Sequence, residues 1–151
     1  FRKWQFSLGA VSAVFHDVII VLSIFSIFYG ILPFSLEIDQ AFIAALLTII
    51  GYSLNDTVVV FDRIREHMFL YKKKEFNSLV NNALNSTLSR TVNTSLTTFF
   101  VLLVIFLFGG EVIRGFMFAL MVGVIVGTYS SLFVASPIMV DTLKKTLEIK
   151  K

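Results

Sequence analysis

Ala41-Phe-Ile-Ala-Ala-Leu-Leu-Thr-Ile-Ile-Gly-Tyr-Ser-Leu-Asn-Asp-Thr-Val-Val-Val-Phe61 carries a single formal charge, Asp56, in a run otherwise dominated by apolar side chains. A bilayer core about 30 Å thick takes about 20 helical residues to cross, so this stretch is long enough to span a membrane. A carboxylate held there costs several kcal/mol unless it is paired, hydrated or protonated. Asp56 is therefore the first candidate functional residue, and the class of the chain follows from its surroundings.

The composition agrees with a membrane protein. Apolar residues make up 56% of the chain, Phe alone numbers 17, and charged residues fall to 15%, against about 25% in a soluble domain. There is no cysteine, which removes disulfides and thiolate metal sites from consideration. No P-loop, zinc motif or Ser/His pair in register is present, and the two intramembrane aspartates, Asp17 and Asp56, lack the Gly-x-Gly-Asp context of an intramembrane aspartyl protease. The expectation is a non-enzyme without a cofactor. The start at Phe1, with no initiator Met and no signal-cleavage pattern, is that expected of a piece of a longer protein.

Four spans are expected, at about 6–32, 39–63, 86–108 and 112–140, giving an all-α bundle of four transmembrane helices. Pro33 with Glu37 and Asp39 marks the first turn, and Gly109-Gly110 marks a tight third one. A polar connection, 64–85, separates spans two and three. Within it Phe76, Leu79, Val80, Ala83 and Leu84 recur at helical spacing. They fit either an amphipathic helix at the interface or an early extension of span three. Arg2, Lys3, Arg63, Arg65, Lys72, Lys73, Lys74, Lys144, Lys145, Lys150 and Lys151 all fall on one side of such a chain, opposite Glu37, Asp39, Glu111 and Arg114. The positive-inside rule places both ends and the middle connection in the cytoplasm. The basic pI of 9.3 is then a topology signal and gives no reason to expect nucleic acid; membrane lipid is the expected surrounding. In span four Ala119, Gly123, Gly127, Ser131 and Ala135 repeat every four residues, a stripe that lets helix backbones approach closely.

The polar residues inside the spans are the candidates for chemistry. Asp56 lies roughly 10 Å below the expected cytoplasmic edge at Arg63, with Tyr52 one turn away and Asn55 beside it. Arg90, early in span three, is followed by Asn93, Thr94, Thr97 and Thr98 at helical spacing. The two spans run antiparallel, so Asp56 and Arg90 enter from the same side at similar depth. Burial of a carboxylate favours its protonated form and a neighbouring guanidinium favours its ionised form. Moving the arginine therefore switches the proton affinity of the aspartate. The alternatives are a static ion pair joining two helices and an Arg90 that snorkels to the interface. His16 and Asp17 form a third polar spot in span one; as sequence neighbours on a helix they are expected to find different partners. Asp62, Arg63, Arg65 and Glu66 read as interfacial charges with local i,i+4 partners.

Gly51-Tyr-Ser-Leu-Asn-Asp-Thr-Val-Val-Val-Phe-Asp-Arg-Ile-Arg-Glu66 resembles the signature of the SecF family of protein-export membrane subunits. So do Phe15-His-Asp-Val-Ile-Ile20, Ser89-Arg-Thr-Val-Asn-Thr-Ser-Leu-Thr-Thr98 with Phe108-Gly-Gly110, and Gly123-x-x-x-Gly-Thr-Tyr-Ser-Ser131 with Val134-Ala-Ser136. The resemblance covers nearly the whole chain. It implies the C-terminal four spans of a six-span subunit in the resistance-nodulation-division superfamily, whether from a separate SecF or a fused SecD–SecF polypeptide. It further implies residence in the bacterial plasma (inner) membrane, SecD and the SecYEG translocon as partners, YajC as a further candidate partner, a preprotein substrate, and protons as the coupling ion. Asp56 and Arg90 match the family's membrane Asp and Arg of the proton path. Two other readings stay open: a proton-driven exporter of small molecules or lipids in the same superfamily, and a non-conducting structural scaffold.

Overall fold

Helix formation over the four apolar runs follows from the rule that backbone polar groups in hydrocarbon must bond within their own segment. The computed structural model describes residues 4–71 and 75–149, with side chains through Thr146, and the regular structure over them is helical throughout. Its elements are α1 (Trp4–Phe28), α2 (Gln40–Leu70), α3 (Phe76–Phe108), α4 (Glu111–Ser130), a π-helical turn (Ser131–Ala135) and α5 (Ser136–Ile149). Four stretches are long and apolar enough to cross a membrane: α1, α2, α3, and α4 continued through the π-turn into α5. The chain is a multi-pass membrane protein. Of the residues used to orient it, Arg2, Lys3, Lys72, Lys73, Lys74, Lys150 and Lys151 lie outside the described residues, as does Phe1.

The turns have identifiable causes. Helix α1 stops at Phe28, and Gly30 takes φ +76°, a conformation glycine reaches without the Cβ clash of other residues. Asp39 caps α2, its Oδ1 accepting from the Phe42 amide at 2.8 Å. Gly109 ends α3 and Gly110 begins α4; a Cβ on Gly109 would collide with the Ile105 carbonyl and the Ile113 side chain. The connection expected over 64–85 is largely helical. Helix α2 continues to Leu70 and α3 starts at Phe76. The amphipathic stretch is thus the first turns of α3, with Leu79, Val80 and Ala83 buried, and not a separate interfacial helix.

Helices α2 and α4 form the central pair, with α1 on one side and α3 on the other. The small-residue stripe is the reason they can. Ala119, Gly123, Gly127, Ser131 and Ala135 are all buried. Gly123 lies against Ile49 and Gly127 against Ser53, both on α2, while Ala135 receives Gly9 of α1. A four-residue repeat overshoots a full helical turn by about 40° per step, so one face would slide away from its partners. The wider π-turn at Ser131–Ala135 works against that drift as the stripe passes from α2 to α1. Pro137 supplies a local cause, because it has no N–H for the Phe133 carbonyl and crowds it. Within the turn, Ser136 Oγ donates to the Ser131 carbonyl at 2.9 Å.

The interior is layered. One apolar cluster gathers Phe6, Ala13, Phe61, Ile64, Ala135 and Met139 toward the N-terminal end of α1. The other gathers Val21, Phe25, Phe42, Ile49 and Ala119 toward the opposite end. Between them lies a belt of buried polar groups that includes Asp17, Ser53, Asp56, Thr91, Ser95 and Ser130.

A Cβ at Gly123 would fall inside the Ile49 side chain, whereas one at Gly51 would meet nothing within 4 Å. Gly123→Leu is expected to destabilise the bundle by about 1–3 kcal/mol through overpacking. Gly51→Ala should be neutral or stabilising by up to about 1 kcal/mol. Detergent-titrated unfolding followed by circular dichroism measures both.

Candidate functional site

Asp56 is buried, 6% exposed, on the face of α2 turned toward α3. It shares a cavity of about 70 Å³ with Tyr52 and Asn55 of α2 and with Arg90, Thr94 and Thr98 of α3. Arg90 is near enough to act electrostatically on the Asp56 carboxylate. The two do not form an ion pair within 4 Å, and Asp56 Oδ2 has no hydrogen-bond partner among the described residues. The arrangement therefore differs from the static ion pair held open above. The neighbouring Thr57 Oγ1 is buried and without a partner as well.

On its other side Arg90 borders an open cleft of about 390 Å³ that also touches Asp62, Arg63, Glu66 and Ser86. The guanidinium thus stands between the Asp56 cavity and a polar cleft at the α2–α3 end. The charges there pair locally: Arg63 with Glu66 at 2.6 Å and Arg65 with Asp62 at 3.1 Å, both at i,i+3 and not at the expected i,i+4. Arg63 Nε also donates to Ser86 Oγ at 3.0 Å, tying α2 to α3.

The polar stripe of α3 divides. Thr94 and Thr98 line the Asp56 cavity, but Asn93 and Thr97 lie outside it on the exposed face of the helix. The Thr94, Thr97 and Thr98 hydroxyls all donate back to carbonyls of α3, a local satisfaction common for threonine within helices. They soften the cavity wall without forming a hydrogen-bonded wire to Asp56. Tyr52 reaches across instead, its hydroxyl donating to Ser95 Oγ at 3.2 Å. Ser95 Oγ in turn lies 2.5 Å from Thr128 Oγ1 of α4.

The second polar centre is Asp17. Its side chain has no exposed surface. Ser53 of α2 donates to Asp17 Oδ2 at 2.5 Å and Ser130 of α4 donates to the same oxygen at 2.8 Å. Asp17 Oδ1 lies 3.1 Å from His16 Nδ1. The expectation that sequence neighbours must find different partners fails here, because the two side chains bend toward each other at the helix surface. His16 keeps other contacts too: it stacks on Tyr129 at 6.4 Å, and Tyr129 stacks on Phe133. Ser53, Ser95 and Thr128 were not singled out from sequence. Each is a lone hydroxyl in an apolar span, and only the assembled helices reveal an acceptor.

Asp17→Ala would strip the acceptor from two buried hydroxyls on two other helices, an expected loss of about 1.5–3 kcal/mol. Asp56→Asn gives up no hydrogen bond at Oδ2 and should change stability by less than about 0.5 kcal/mol. Side-by-side unfolding of the two variants in detergent measures the difference.

Residues 1–145 match the family model of the protein export membrane protein SecD/SecF, C-terminal. The chain is 64% identical over 139 residues to the protein translocase subunit SecF of Rhodothermus marinus, covering 92% of this chain and 45% of that protein. It superposes with a TM-score of 0.82 and 46% identity on the crystal structure of SecDF, a translocon-associated membrane protein from Thermus thermophilus, over 94% of this chain and 19% of that one. A crystal structure of SecDF in the super-membrane-facing form gives 0.81 and 45% over 98% of this chain and 20% of that one. The chain spans less than half the length of the SecF relative. It belongs to the SecD/SecF family.

Proposed function

We propose that this member of the SecD/SecF family is the C-terminal membrane part of a SecF-like subunit. In this reading the whole protein works with SecD beside the SecYEG translocon to assist preprotein export across the bacterial plasma membrane, with YajC as an accessory partner. Protons are the coupling ion and no bond in the substrate is made or broken. Both ends of the chain and the α2–α3 connection face the cytoplasm, as the lysines and arginines require.

The observation that carries the reading is the Asp56–Arg90 cavity. A buried carboxylate oxygen without a partner is a costly arrangement in a settled structure, and a cation stands close by without pairing to it. Such a pair has two states. With Arg90 drawn in, the ionised aspartate is favoured; with Arg90 drawn out toward the Asp62–Glu66 cleft, the protonated acid is favoured. Proton binding at Asp56 and the position of α3 are then linked, and linkage works in both directions. A proton arriving at Asp56 releases Arg90, and a movement of α3 that brings Arg90 back in releases the proton. The family membership and the 64% identity to a protein translocase subunit support directing that motion to protein export.

In the full-length protein assembled with SecD, Asp56→Asn is expected to abolish the proton-dependent part of preprotein export while the complex still copurifies. Arg90→Met should do the same through the other member of the pair. Export into inverted membrane vesicles, with and without a proton gradient, is the measurement. Export that keeps its full proton dependence in Asp56→Asn would make the pair a structural element only.

A further inference from the structure

We propose that His16 and Asp17 form a second proton-binding site, distinct from Asp56, that takes up and releases one proton as a unit. Asp17 has no exposed surface, while the His16 side chain is 29% exposed. Any proton reaching the carboxylate from this side therefore passes through the imidazole, whose Nδ1 lies 3.1 Å from Asp17 Oδ1. With one proton shared between them, on the ring or on the carboxyl, the pair is neutral. Losing that proton leaves a net negative charge in the middle of the bundle, which a low-dielectric interior opposes. The Ser53 and Ser130 hydroxyls, both donating to Oδ2, make the charged carboxylate tolerable enough for the exchange to be reversible.

The groups facing the pair are few. From α2 comes Ser53, with Asp56 one turn further along that helix, about 4.5 Å of rise away. From α4 come Ser130 and Tyr129, the latter stacked on the imidazole with ring centroids 6.4 Å apart. Tyr129 adds an aromatic face to the imidazolium state and no opposing charge. Asp56 looks onto the α3 cavity, while Asp17, on α1, is held by Ser53 of α2 and Ser130 of α4. The two acids are thus separate sites in one belt, and the pair stands whether or not Asp56 carries protons.

The test uses full-length protein in lipid bilayers, labelled with ¹⁵N-histidine, with the His16 signal assigned by its loss in His16→Phe. Its protonation is read across pH 5–9. Asp17→Asn is expected to lower the proton affinity of His16 about tenfold, because the imidazolium loses its counter-ion. Asp56→Asn is expected to leave it within about twofold. If Asp17→Asn does not assemble, Ser53→Ala and Ser130→Ala keep the carboxylate and each should displace the His16 midpoint by a measurable fraction of a pH unit. An unchanged His16 titration in the Asp17 variant, or in both serine variants, overturns the proposal, as does an imidazole that never titrates in this range. The proton-dependent export assay on Asp56→Asn is a separate readout, so failure of one reading leaves the other standing.

Discussion

A carboxylate with no exposed surface must draw its hydrogen bonds from whatever surrounds it, and Asp17 draws them from two other helices. Ser53 and Ser130 both donate to one of its oxygens. Helix–helix association in lipid has no hydrophobic drive between the helices and relies on close packing and such hydrogen bonds. Here the two act at the same place. Gly127, three residues before Ser130, lets α4 come within van der Waals reach of Ser53, and that approach is what puts both serine hydroxyls on the aspartate. Enlarging the stripe would lengthen the bonds, and loss of the aspartate would leave Ser53 without its acceptor and Ser130 with only the Gly127 carbonyl.

The two buried aspartates show how differently the same side chain can be used in one belt. Asp17 is held by neighbours on several sides. Asp56, one turn along α2 from Ser53, keeps an oxygen without a partner and looks onto a small cavity shared with Arg90. The belt thus holds one carboxylate tied to three helices and another, on the next helix, that looks onto open space beside a cation.

Much of this was legible in the chain. Apolar runs of bilayer length gave the four helices, Gly109-Gly110 gave the hairpin, and the four-residue repeat from Ala119 to Ala135 gave the packing face. Asp56 and Arg90 stood out because charges in such runs are costly, and antiparallel spans set their depth. What stayed hidden depends on three-body geometry. Ser53 looks like any serine in a span until α1 and α4 surround it. Asn93 and Thr97 share a stripe with Thr94 and Thr98, yet only the latter two face the cavity, because a polar stripe fixes a helix face and not the angle at which it meets its neighbour. The π-turn had a local cause in Pro137, but whether a proline kinks, breaks or widens a helix is decided by what packs on it; here Gly9 of α1 rests on the Ala135 backbone.

Helix α3 lies across the central pair from α1 and takes no part in the hydrogen bonds around Asp17. Its side-chain hydrogen bonds to the rest, among the described residues, are Arg63 to Ser86, Tyr52 to Ser95, and Ser95 to Thr128. The Asp17 hydrogen bonds thus join α1, α2 and α4, while α3 is held by its packing on α2 and α4 and by these separate bonds. A shift of α3 would carry Arg90 with it and leave the bonds at Asp17 intact.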